Sequence, residues 1–189
     1  MPSIASHMVC AKLVSEMLNI KDDDFYRGNI LPDIIDKEDS HKKIQSSFYQ
    51  IPDISRFKVN NILDLGYKCH LLLDKYFLEE YIPNNIKNYK KEMIFTKEKL
   101  YNDYTNINYY LIDRYQIDID YLNRIFKDFS CKLNISKYEY NMKCLNSKVI
   151  DDLRYLDKEK FSDFLLNISI RIRKEVEYEF KLIMYNACT

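Results

Sequence analysis

The stretch Leu63-Asp64-Leu65-Gly66-Tyr67-Lys68-Cys69-His70-Leu71-Leu72-Leu73-Asp74-Lys75-Tyr76-Phe77 decides the fold class. Leu63, Gly66, His70, Leu73, Asp74 and Phe77 recur at intervals that place them along one face of a helix, which the pattern extends from Ile54 to about Tyr81. Gly66 costs about 1 kcal/mol relative to Ala inside a helix, so something is expected to pack closely against it. Upstream, Ser3 is placed to cap a first helix running to about residue 18, with Ile4, His7, Met8, Ala11, Val14 and Leu18 on its buried stripe. Further helices are expected around 96–115, 119–131 and 158–185, the last burying Ile168, Ile172, Val176, Phe180 and Ile183. The chain has only two glycines and four prolines, too few for the tight turns of a β-rich fold. An all-α protein of several helices is therefore expected. The segment from Phe25 to Asp39, with Gly28, Pro32 and four acids, reads as an irregular loop.

With 189 residues the chain fits one helical domain, 1–189, able to bury a core without disulfides or a structural metal. Its 29 basic side chains balance 29 acidic ones, so no net field gathers a polyanion and no stable nucleic-acid partner is expected. Cys10, Cys69, Cys131, Cys144 and Cys188 are odd in number and scattered, and read as reduced thiols. Ser6, His7, Lys12, Ser15 and Glu16 interrupt any apolar run in the first twenty residues, which removes the pattern of a secretion signal. No segment approaches the roughly 20 apolar residues that span a bilayer. The expectation is a cytoplasmic protein.

All three histidines lie within the first 70 residues. His70 and Asp74, four apart on a helix, project from one face and can chelate one cation. They interrupt an otherwise apolar helix, where a buried carboxylate needs compensation; a divalent cation supplies it, and the alternative is a His–Asp hydrogen bond without metal. Asp33 follows Pro32 on a restricted backbone and is either a ligand or a cap for the next turn. Asp39-Ser40-His41 reads as a helix start with His41 in the first turn. Asp103, within the polar segment Tyr101 to Asn108, is either a further carboxylate ligand or a solvated residue near a helix start. Tyr101, Tyr104, Tyr109 and Tyr110 are suited to stack on a base or sugar, or to form the edge of the core.

Taken together, Ser6-His7, Gly28-Asn29-Ile30-Leu31-Pro32-Asp33, Ser40-His41 and Gly66-Tyr67-Lys68-Cys69-His70-Leu71-Leu72-Leu73-Asp74 resemble the zinc-dependent phospholipase C family. That pattern runs, in the same order, as a His near the N-terminus, a Pro-Asp after a Gly-containing loop, a Ser-His, and Gly-Tyr-x-x-His-x-x-x-Asp. The resemblance covers roughly residues 1–80 and, more faintly, Tyr101 to Asn108. Secreted members bind three zincs through their N-terminal amine and further His, His and Glu ligands from the second half. This chain has no histidine after His70, so at least one of those sites is missing or rebuilt with carboxylates.

The resemblance implies a metal-dependent hydrolase, a phospholipase C-like phosphoesterase that attacks a small phosphoester with a metal-activated water. The cofactor would be one or two divalent ions, zinc first, with manganese or iron as alternatives. His41, His70 and Asp74 would hold one ion and His7 a second, bridged by Asp74 or Asp33. Asp33 is the expected base, Asp103 an additional ligand, and Lys42 and Lys43 contacts to phosphate. The alternative is a non-catalytic metal-binding or regulatory helical protein, in which protein ligands fill every coordination position. A helical phosphohydrolase of the HD class lacks its His-Asp dipeptide here.

Overall fold

The computed structural model describes residues 2–35, 40–41, 43–45, 50–55, 57–86, 93–127, 129, 133–146, 153 and 155–187. The fold is all-α, with helices α1 (Ile4–Leu18), α2 (Asp23–Ile34), α3 (Ile62–Tyr76), α4 (Ile82–Asn85), α5 (Met93–Tyr115), α6 (Ile119–Lys127), α7 (Ile135–Asn146) and α8 (Lys158–Ala187). A small antiparallel ribbon pairs β1 (Lys43–Gln45) with β2 (Gln50–Pro52), Ile44 opposite Ile51. Among the described residues no helix is long and apolar enough to cross a membrane.

Helix α1 starts where the sequence places it: the Ser3 side chain accepts from the Ser6 N–H, and the helix ends at Asn19, whose left-handed φ of 55° lets its N–H return to Glu16. The expected loop from Phe25 onward is instead mostly helix α2, capped by Asp22 and begun by Asp23 and Asp24. These acids precede the stretch that looked irregular, and their charge favours a helix N-terminus. Pro32 lies inside α2, where its missing N–H deprives only the Gly28 carbonyl of its helical donor, and the helix ends two residues later. Two further boundaries differ. Helix α3 begins at Ile62, capped by Asn61, because residues 54–55 and 57–61 are spent on the approach from β2. Ser40 and His41 form a turn that leads into β1, while Asp39 lies outside the described residues. Helix α7 and the β ribbon carry no expectation above.

Both glycines serve one crossing. A Cβ at Gly28 would overlap the carbonyl oxygen of Leu63, and a Cβ at Gly66 would overlap that of Phe25. Helices α2 and α3 therefore meet backbone to backbone. The long α8 closes the other side through Leu165, Ile168, Ile172 and Val176, packed with α1 and α3. After Tyr76 the chain widens into a π-helical turn, Phe77–Tyr81, before resuming as α4. Phe77 and Tyr81 stack there, and Tyr81 meets Phe161 and Phe164 of α8 with ring centroids 5.0 Å away.

Candidate metal centre

Four separate segments deliver the five residues: His7 from the second turn of α1, Asp33 from the end of α2, His41 from the turn before β1, and His70 with Asp74 from α3. His7, His70 and Asp74 are completely buried, while the side chains of His41 and Asp33 keep 13% and 16% of their surface in solvent. Asp74 sits centrally. Its Oδ1 lies 3.4 Å from His7 Nε2, and its Oδ2 lies 3.5 Å from His70 Nε2 and 3.9 Å from His41 Nε2. Asp33 Oδ1 is 3.3 Å from His41 Nε2 and 4.0 Å from His70 Nε2.

The ring orientations have causes outside the cluster. His70 Nδ1 lies 2.7 Å from the main-chain carbonyl of Asn29, an oxygen that only accepts, so Nδ1 carries the proton and Nε2 turns its lone pair to the carboxylates. The Asn29 amide in turn donates to the Gly66 carbonyl at 3.4 Å, tying α2 to α3 beside the glycine contact. His41 Nδ1 is held 2.9 Å from Ser40 Oγ, and the Tyr67 hydroxyl donates to the Ser40 carbonyl. Such partners fix the tautomer and aim of metal-binding imidazoles. Asn29 and Tyr67 stand inside the motifs quoted above, but nothing in one sequence distinguishes a main-chain carbonyl that orients a ring from one that merely bonds a helix.

Among the described residues, five buried atoms at the centre have no hydrogen-bond partner: both His7 nitrogens, His70 Nε2, and both Asp74 oxygens. Each such atom costs about 1–3 kcal/mol, so five rival the whole stability of a domain, about 5–15 kcal/mol. A proton shared between His7 and Asp74 relieves only part of this. The His7 and His70 rings stack in parallel with centroids 3.7 Å apart, so protonating both would set two positive charges face to face. A cation ligated by neutral imidazoles meets no such repulsion. Bonds of about 2.0–2.1 Å in a tetrahedral array put zinc ligands about 3.4 Å from one another, and the separations here run from 3.3 to 4.0 Å. The residues therefore fit a divalent ion.

Among the described residues, two groups of ligand atoms are close enough to share an ion, His7 with Asp33 and His70, and His41 with His70 and Asp74. Because His70 Nδ1 is engaged, its one free nitrogen can serve only one ion at a time, and the groups are alternatives within one compact centre. Asp103 joins neither group. Its Oδ2 accepts from the N–H groups of Tyr155 and Leu156, at 2.6 and 2.9 Å, which gives this buried carboxylate a structural task where α8 is approached. Lys42, and the side chain of Lys43, lie outside the described residues. Cys69, next to His70, is fully buried with its thiol pushed well above the usual range by desolvation, so it offers no thiolate.

Burial opposes ionisation of Asp74, yet the electrostatic attraction of His70, with a smaller contribution from His7, outweighs it and holds this carboxyl well below its usual range. Asp33 is lowered for a similar reason: burial raises it, and the electrostatic attraction of His70 with the His41 contact at 3.3 Å more than offsets the rise. Both remain carboxylates, as ligands must.

Beside the centre opens a cavity of about 130 Å³, with Asp33 on its wall together with residues from the start of α1, from α5 and from α7. No protein-family model, curated protein or solved structure matches the chain.

Proposed function

We propose that the protein is a metal-dependent phosphoesterase whose divalent ion, zinc by preference, takes its ligands from among His7, His41, His70, Asp33 and Asp74, in keeping with the resemblance to zinc-dependent phospholipase C enzymes. One observation carries this reading beyond metal storage: Asp33 belongs to the centre and also lines the adjoining cavity. Imidazole and carboxylate donors suit zinc, iron and manganese. When bound, such an ion supplies Lewis acidity and a water that ionises near neutral pH.

The chain's own residues would do the rest. Asp74, buried and central, neutralises the ion and keeps three imidazoles converging. Asp33, partly exposed, faces the space where a water and a phosphoester would meet, and its carboxylate orients the water and takes its proton. A histidine whose free nitrogen is already a ligand cannot accept that proton. The test is Asp33→Asn, which preserves shape and one coordinating oxygen but removes charge and basicity. Hydrolysis of a nitrophenyl phosphodiester by the zinc-loaded protein should fall about a hundredfold or more, while zinc content, read by elemental analysis, falls far less. Absence of turnover with zinc, manganese and iron in folded, metal-loaded protein would favour the non-catalytic metal-binding alternative.

A further inference from the structure

The cavity beside Asp33 has a chemical character of its own. At one end is the start of α1, represented by Ser3 and Ile4. The Ser3 hydroxyl satisfies the Ser6 N–H, which leaves the N–H groups of Ile4 and Ala5 without intrahelical partners, and α1 has no acid in its first turn. A helix end of this kind favours an anion. Across the cavity, α5 contributes Asn108, a residue 2% exposed whose Oδ1 has no hydrogen-bond partner among the described residues. A buried, unpartnered amide oxygen on a cavity wall is matched by a ligand group that can donate. A hydroxyl does so; a phosphate oxygen cannot donate, and a quaternary ammonium can neither donate nor accept.

Size and charge narrow the ligand further. A 150 Å³ cavity is known to take benzene, so about 130 Å³ holds about six heavy atoms. The described wall includes no lysine or arginine, and its one carboxylate, Asp33, is committed to the metal. Resting on the phosphoesterase reading, we infer that this cavity takes the small, neutral polyhydroxyl group of a phosphodiester, a glycerol-sized alcohol. Its phosphate lies between the Asp33 centre and the start of α1, and a hydroxyl bonds the Asn108 amide. A quaternary ammonium such as choline is disfavoured because it has no hydrogen to donate to the Asn108 oxygen, which would stay unpaired beside it.

The experiment uses the zinc-loaded full chain and two readouts. Calorimetry measures binding of glycerol 1-phosphate, phosphocholine and methyl phosphate, and turnover is measured on nitrophenyl phosphodiesters carrying glycerol, choline or methyl as the second alcohol. The inference expects about a tenfold preference for the glycerol compound over both others in binding, the scale of one good hydrogen bond, and the same order in turnover if the centre is hydrolytic. Asn108→Leu, checked by thermal unfolding, should erase that preference at unchanged zinc content; the comparison in the unaltered protein stands even if this variant does not fold. Equal binding of the three compounds, or a choline preference, overturns the inference while leaving the phosphoesterase reading in place. A glycerol preference in binding with no hydrolysis of any ester upholds the cavity assignment and sinks the hydrolase. Failure of all three to bind and of all esters to react overturns both.

Discussion

His70 and Asn29 are joined at 2.7 Å by a bond from an imidazole nitrogen to a main-chain carbonyl, so the aim of a candidate ligand depends on how closely two helices approach. The approach is set by Gly28 and Gly66.

Replacing Gly66 by Ala should therefore act at two levels. The new methyl group meets the Phe25 carbonyl, a rigid neighbour, and overpacking of this kind costs about 1–3 kcal/mol or more. Thermal unfolding should register the loss. The same displacement pulls Asn29 away from His70, and zinc affinity measured by competition with a chelator should drop as well. A Gly66→Ala protein with unaltered stability would mean that α2 and α3 are not in backbone contact.

Chelation should lower the melting temperature of the metal-loaded protein. At a free ion concentration 100 times its dissociation constant, binding to the folded state adds about 2.7 kcal/mol. For a chain of this size that corresponds to about 5–10 °C, readable by differential scanning calorimetry. Indifference to chelator, with no metal co-purifying, would leave the five residues as a polar cluster.

His70→Ala and Asp74→Ala should abolish metal occupancy, because each removes a central, fully buried ligand. Asp103→Asn gives the opposite pattern. It weakens the acceptor that holds the Tyr155 and Leu156 N–H groups and should cost about 1–3 kcal/mol, yet leave the zinc content of folded protein intact. Loss of zinc from Asp103→Asn at temperatures where it stays folded would return Asp103 to the centre.

Acid should destabilise the metal-free protein through Asp74. Its folded pKa is depressed below the unfolded value of about 3.9, so its contribution is fully present above that value and lost as pH falls through the folded pKa. Denaturant unfolding between pH 6 and 2 should show a fall in stability toward low pH that is shallower in Asp74→Asn. Equal slopes would show that Asp74 has the same proton affinity folded and unfolded.

The helical class was legible because α1, α3 and α8 bury stripes that repeat at three and four residues, and the Ser3 cap and the His70–Asp74 pair followed from the same period. Helix α2 was not. Its first turn is written in Asp22, Asp23 and Asp24, but Gly28 and Pro32 look like breakers until the facing backbone of α3 is known, since a residue chosen for lack of bulk is indistinguishable from one chosen for lack of helix propensity. Asp103 misled for the converse reason. A buried carboxylate calls for compensating donors, and one chain cannot tell a cation from two main-chain N–H groups 52 and 53 residues away.

The widened turn at Phe77–Tyr81 has a bearing on how this chain tolerates change. A π-helical turn spends one more residue per hydrogen-bonded loop than the α-helix on either side, and so shifts the angular phase of everything after it. Upstream, His70 and Asp74 share the face of α3 turned to the candidate centre; at the end of the turn, Tyr81 packs on Phe161 and Phe164. The widened turn acts as a phase adjuster between two halves that obey different constraints. Deleting a single residue there would let the turn close as ordinary α-helix with both halves still facing their partners, whereas a deletion within α3 would rotate everything beyond it by about 100°.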